Sequence, residues 1–121
     1  MKRLLFALLL LPFISCTKDN TGPTPSSFQG NWKGTYTGTT DNGSWNINIA
    51  ADGKVSGTAT SVVFVQTWTA DGTVVSNGQI TATFGTATSG ATFTGTLNGT
   101  AASGTWVNTS AHNGTWTGTK Q

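Results

Sequence analysis

The chain has 121 residues, 10% aromatic and only 8% charged. Lys2 and Arg3 lie at the very start, and the remaining Lys18, Lys33, Lys54 and Lys120 are balanced by Asp19, Asp41, Asp52 and Asp71. This length fits one domain, the neutral remainder offers no basic footprint for nucleic acid, and five Trp with six Phe are too many for a disordered chain.

Met1-Lys2-Arg3 is a positive start, followed by an apolar run from Leu4 to Ile14 that contains Pro12. The run falls short of the roughly 20 residues a membrane-spanning helix needs, and has the proportions of a signal peptide, residues 1–15. It ends in Phe13-Ile14-Ser15-Cys16, with the only cysteine of the chain last. This tetrapeptide resembles the lipobox of bacterial lipoproteins, although Phe13 stands where leucine is more usual. The resemblance implies cleavage before Cys16, a diacylglycerol on its sulfur, an acylated amino group and a lipid anchor in the outer membrane. A lone thiol in an oxidising compartment is a liability, which fits a cysteine consumed by lipid.

Residues 16–27 hold Pro23 and Pro25 among Thr, Ser, Asn and Gly, without alternation, and read as a flexible tether. Lys18-Asp19 is similar to the charged export signal of surface lipoproteins in the Bacteroides and Flavobacterium group. That likeness implies a domain facing the cell surface; without export it faces the periplasm.

From Phe28 onward apolar and polar residues alternate with period two, the mark of half-buried strands. Asp41-Asn42-Gly43, Asp52-Gly53, Asp71-Gly72, Asn77-Gly78, Ser89-Gly90, Asn98-Gly99 and Asn113-Gly114 are turn signals. They predict strands over 31–39, 44–51, 54–61, 62–70, 73–76 with 79–86, 91–97, 101–108 and 114–120. The fold expected is an all-β, up-and-down antiparallel meander of about eight strands, closed or nearly closed into a barrel, spanning residues 28–121. A two-layer β-sandwich is the alternative.

Trp32, Tyr36, Trp45, Trp106 and Trp116 fall on the apolar face and are assigned to the barrel interior; Thr, Ser and Asn fill the other face. A unit of large residue, any residue, Gly and Thr repeats at Trp32–Thr35, Val55–Thr58, Phe93–Thr96 and Trp116–Thr119. Its glycines share the aromatic face, as a tightly curled sheet requires. Gly30-Asn31-Trp32 resembles the Gly-x-Trp opening of the lipocalin and avidin barrels, and the closing Gly-Thr-Trp strands are similar to small secreted lipocalin-like domains. The resemblance implies a barrel and carries over no ligand contacts.

For chemistry the sequence offers little. His112 is the only histidine, in a loop segment with no neighbouring acid, and Asp41, Asp52 and Asp71 are all assigned to turns. No cofactor motif or metal-ligand spacing is present, so an enzyme is not expected. In Ser61–Trp68 the alternation fails: Val62, Phe64 and Trp68 share one face and Val63 and Val65 the other. Such a doubly apolar strand is either covered by the 71–79 connection or exposes a contact surface, with Val62, Phe64 and Trp68 as its candidates. Exposed Thr-x-Thr pairs are similar to the arrays of ice-binding proteins, but those need a flat sheet, which a curled meander does not supply. The functional expectation is an anchored, non-enzymatic domain that binds a small ligand, a glycan or a partner protein. The alternative is a structural or accessory lipoprotein with a filled core and no ligand.

Overall fold

The computed structural model describes residues 25–86 and 90–121. The expected signal peptide, Cys16, Lys18-Asp19 and the tether up to residue 24 lie outside the described residues, as does Ser89 of one expected turn.

A short 3₁₀ turn, Pro25–Phe28, leads into eight strands: β1 Gly30–Gly38, β2 Gly43–Ile49, β3 Lys54–Ser61, β4 Gln66–Val74, β5 Gln79–Phe84, β6 Ala91–Asn98, β7 Ala101–Asn108 and β8 Asn113–Lys120. Each strand pairs antiparallel with the next, and β8 returns to β1 through Gly34↔Gly118 and Tyr36↔Trp116. The result is a closed up-and-down barrel, as expected for a lipocalin-like domain, rather than a sandwich. Closure leaves no unpaired strand edge.

Side chains alternate in and out along every strand, as the pleat dictates. β2 shows the clearest case, with Trp45, Ile47 and Ile49 buried and Ser44, Asn46 and Asn48 exposed. The outer surface carries ranks of threonine across neighbouring strands, Thr35↔Thr117 and Thr37↔Thr115 among them. These ranks follow the curve of the closed wall and make no flat array.

The repeated glycines have a structural role. Trp45 on β2 faces Gly34 on β1, and β1 places Gly34 opposite Gly118 on β8. A Cβ on Gly118 would collide with Cζ2 and Cη2 of Trp45. The indole therefore lies across two neighbouring strands, with its Nε1 donating to the Thr35 carbonyl at 3.3 Å. Trp116 repeats the arrangement over Gly104 and Gly95 and donates to Thr105 O and Thr94 O. Trp106 repeats it over Gly114 and Gly38 and donates to Thr37 O at 3.0 Å. In each unit the missing side chains make the floor on which an indole lies flat.

Several sequence expectations need correction. The strand predicted over 62–70 begins at Gln66, and Val62–Val65 is the turn between β3 and β4. Asp71-Gly72, read as a turn, lies inside β4, with Asp71 opposite Ser56 and Thr83 and Gly72 opposite Val55 and Ala82. Residue type misleads here because register decides. The pair Ser61↔Gln66 leaves four residues to reverse the chain, and a Cβ on Gly72 would collide with the Thr81 carbonyl and Ala82 on the adjacent strand β5. The 71–79 segment consequently leaves Val62–Val65 uncovered; it is half strand, half turn. Asn113 opens β8 rather than a turn, and the chain reverses at 109–112 instead.

Up-and-down order sorts the connections by end. The chain arrives at the lower end, together with the 50–53, 75–78 and 99–100 connections and the end of β8. Phe28 is buried there against Gly78, and Trp32 Nε1 donates to the Phe28 carbonyl at 2.8 Å. The connections 39–42, 62–65 and 109–112 gather at the upper end, with Gly85 and Gly90.

Candidate functional site

The five residues assigned to the interior, Trp32, Tyr36, Trp45, Trp106 and Trp116, are all buried. They and the aliphatic residues between them fill the barrel. Tyr36 meets Phe93 edge-on at 5.6 Å, Phe93 meets Phe84 at 4.6 Å, and Trp45 meets Trp116 edge-on at 5.6 Å. The void left in the middle, between Trp45, Ile80, Phe93 and Trp116, is about 20 Å³. That is room for one water molecule and for nothing larger.

The upper end is different. A hollow of about 150 Å³ opens there, lined by Tyr36, Asp41, Phe64, Trp68, Phe84 and Trp106, with Asn108–Ser110 on its rim. A cavity of that order accommodates a benzene-sized guest. Phe64 reaches it from the β3–β4 turn while remaining 59% exposed. Trp68 enters from β4, half-buried and packed on the core.

The structure thus brings together two of the three predicted contact residues, Phe64 and Trp68. Val62 does not join them and lies on a shallow external surface beside Asn42 and Ser44. The turn that carries Phe64 is exposed and apolar throughout, with Val65 87% exposed at φ +50°. A β-branched residue in that left-handed region is strained. Ser61 holds the turn by accepting the Phe64 N–H at 2.9 Å, and Val62 N–H donates to Asn42 O.

Asp41 is the residue that sequence reasoning missed. Its type and place at the β1–β2 connection suggest a solvated turn, yet it is only 8% exposed. Oδ1 accepts from the Asn42 N–H at 2.8 Å and the Ser61 hydroxyl at 2.5 Å, and Oδ2 accepts from the Tyr36 hydroxyl at 3.1 Å. Burial, together with the charge of Asp41 and the hydrogen bond to it, pushes the Tyr36 hydroxyl up to about 12. The Ser61 hydroxyl acts weakly the other way. Strand parity was the available signal: residues flanking alternate connections meet at one end, so Asp41 and the 62–65 turn had to converge.

Among the described residues no three His, Cys, Asp or Glu side chains gather as metal ligands. His112 is exposed on the 109–112 connection, with Nδ1 3.4 Å from Asn108 Nδ2. Asp52 caps its own turn by accepting the Lys54 N–H, and Asp71 is exposed on the outer wall. No protein-family model and no curated protein matches this chain.

Proposed function

We propose that this protein is a membrane-anchored, non-enzymatic binding domain whose ligand site is the hollow at the upper end of its barrel. The carrying observation is the contrast in free space: about 20 Å³ in the barrel interior against about 150 Å³ at its upper mouth. Ligand sites are concave and mostly apolar with a few placed polar groups, and the aromatic hollow around Asp41 has that composition. On this reading Cys16 carries the lipid that holds the protein to the outer membrane. The anchor attaches through the lower end, which Phe28 and Trp32 close, and the hollow at the other end stays free for its guest.

The test is native mass spectrometry of the full chain, purified gently from its own organism in a maltoside detergent. An added mass that leaves on denaturation, and is missing from a folded Trp68→Ala variant, is the expected result. A bare chain mass overturns ligand binding and leaves the second reading, an accessory surface domain with a filled core, which the packed interior favours. Anchoring is tested separately: Cys16→Ala should move the protein out of the membrane fraction, and retention there would sink the anchor.

A further inference from the structure

We infer that the upper hollow selects a small soluble organic cation, a primary or quaternary ammonium, held between Asp41 and the aromatic walls. The inference rests on the reading of the hollow as a ligand site and names the chemistry of its guest.

Four observations converge. Asp41 lines the hollow at 8% exposure, and among the described residues no lysine pairs with it. Lys33, Lys54 and Lys120 all lie on the lower halves of β1, β3 and β8. Burying a carboxylate without a counter-charge is costly, and its three hydrogen-bond donors offset only part of that cost. An arriving ammonium would offset the rest.

Second, the acceptor capacity of Asp41 is incomplete. A carboxylate offers about four acceptor positions. Oδ1 uses two, on Asn42 and Ser61, while among the described residues Oδ2 serves the Tyr36 hydroxyl alone. One position on Oδ2 is left for an N–H donor, or for the charge of a methylated nitrogen.

Third, five aromatic side chains, Tyr36, Phe64, Trp68, Phe84 and Trp106, line the hollow beside Ala59 and Ala91. Aromatic faces attract cations through the ring quadrupole, and more strongly in a partly desolvated site. Fourth, the volume of about 150 Å³ matches a headgroup of a few heavy atoms rather than a whole fatty acid or oligosaccharide. A neutral apolar guest would explain the rings but would leave the buried carboxylate unanswered.

The experiment uses the full chain in maltoside micelles and follows the Trp68 indole resonance by ¹H–¹⁵N NMR. The probes are choline and its uncharged isostere 3,3-dimethylbutanol. Choline should shift the Trp68 signal and bind at least about tenfold more tightly than the alcohol. Asp41→Asn should remove that preference while leaving the weak affinity for the alcohol in place. Should Asp41→Asn not fold, Trp68→Leu serves instead, read at the Trp106 indole that lines the same hollow, and should weaken choline about tenfold. Equal binding of both probes, indifferent to Asp41→Asn, overturns the cation and keeps the hollow as a ligand site. Binding of neither probe also overturns the cation, and the ligand-site reading then stands or falls on the native mass. A monomeric short-chain phosphatidylcholine separates the two sources of a quaternary ammonium. Shifts with choline and none with the lipid support a soluble cation, whereas shifts with the lipid alone overturn it.

Discussion

The Tyr36 hydroxyl donates to Asp41 Oδ2 at 3.1 Å, tying the upper part of β1 to the connection that leaves it. Tyr36 is the only tyrosine of the chain, so its ionisation can be read directly from absorbance near 295 nm. The folded protein should titrate near 12 and the unfolded chain near 10. Below pH 10 both states hold the proton and stability is at its full value. Above pH 10 only the unfolded state releases it, so stability falls until the folded pKa is passed. At ~1.4 kcal/mol per pH unit the loss reaches about 2–3 kcal/mol. Tyr36→Phe should abolish this alkaline loss, and Asp41→Asn should lower the tyrosine pKa without returning it to 10, because burial, the larger cause, remains. A native titration at 10 would contradict the buried pair.

Gly118 is the floor under Trp45. A methyl group there overlaps Cζ2 and Cη2 of the indole, a rigid group with no free end to move aside. Gly118→Ala should therefore destabilise by about 1–3 kcal/mol, the range for overpacked sites. Thr117→Ala, one residue away on the exposed face, should cost about 0.5 kcal/mol or less. Urea unfolding of the two variants, compared at constant slope, gives the answer.

Val65 holds φ +50° at the most exposed apolar position of the upper turn. Asparagine tolerates that conformation, and no buried contact is lost. Val65→Asn should accordingly raise stability by about 0.5–1 kcal/mol, seen as a higher thermal midpoint. A drop in the midpoint would show that the valine side chain holds the turn in a way its exposure does not suggest.

Phe64 and Trp68 share the hollow but not their cost of removal. Phe64 is 59% exposed, so Phe64→Ser should change stability by less than about 1 kcal/mol. Trp68 packs on the core, and Trp68→Ala should cost about 2–4 kcal/mol. Equal costs in chemical denaturation would mean that the 62–65 turn folds down over the hollow in solution.

The sequence by itself determined the class and the inside of this protein. Period-two alternation and the spacing of turns specify about eight strands, and alternation alone sorts Trp45, Ile47 and Ile49 to one face and Asn46 and Asn48 to the other. These are local properties, because the pleat sends successive side chains to opposite sides whatever the neighbouring strand does. Tertiary structure decided the rest. Asp71-Gly72 looks like a turn and Val62–Val65 like a strand; only the register Ser61↔Gln66 makes each the opposite. The burial of Asp41 follows from Ser61, 20 residues ahead, and from Tyr36, five behind, all meeting at one end of the barrel. The hollow is likewise built from several strands and connections that no short window of sequence contains. Whether eight strands enclose a cavity or a packed core depends on how indoles fit over glycines two strands away. That fit belongs to the closed sheet.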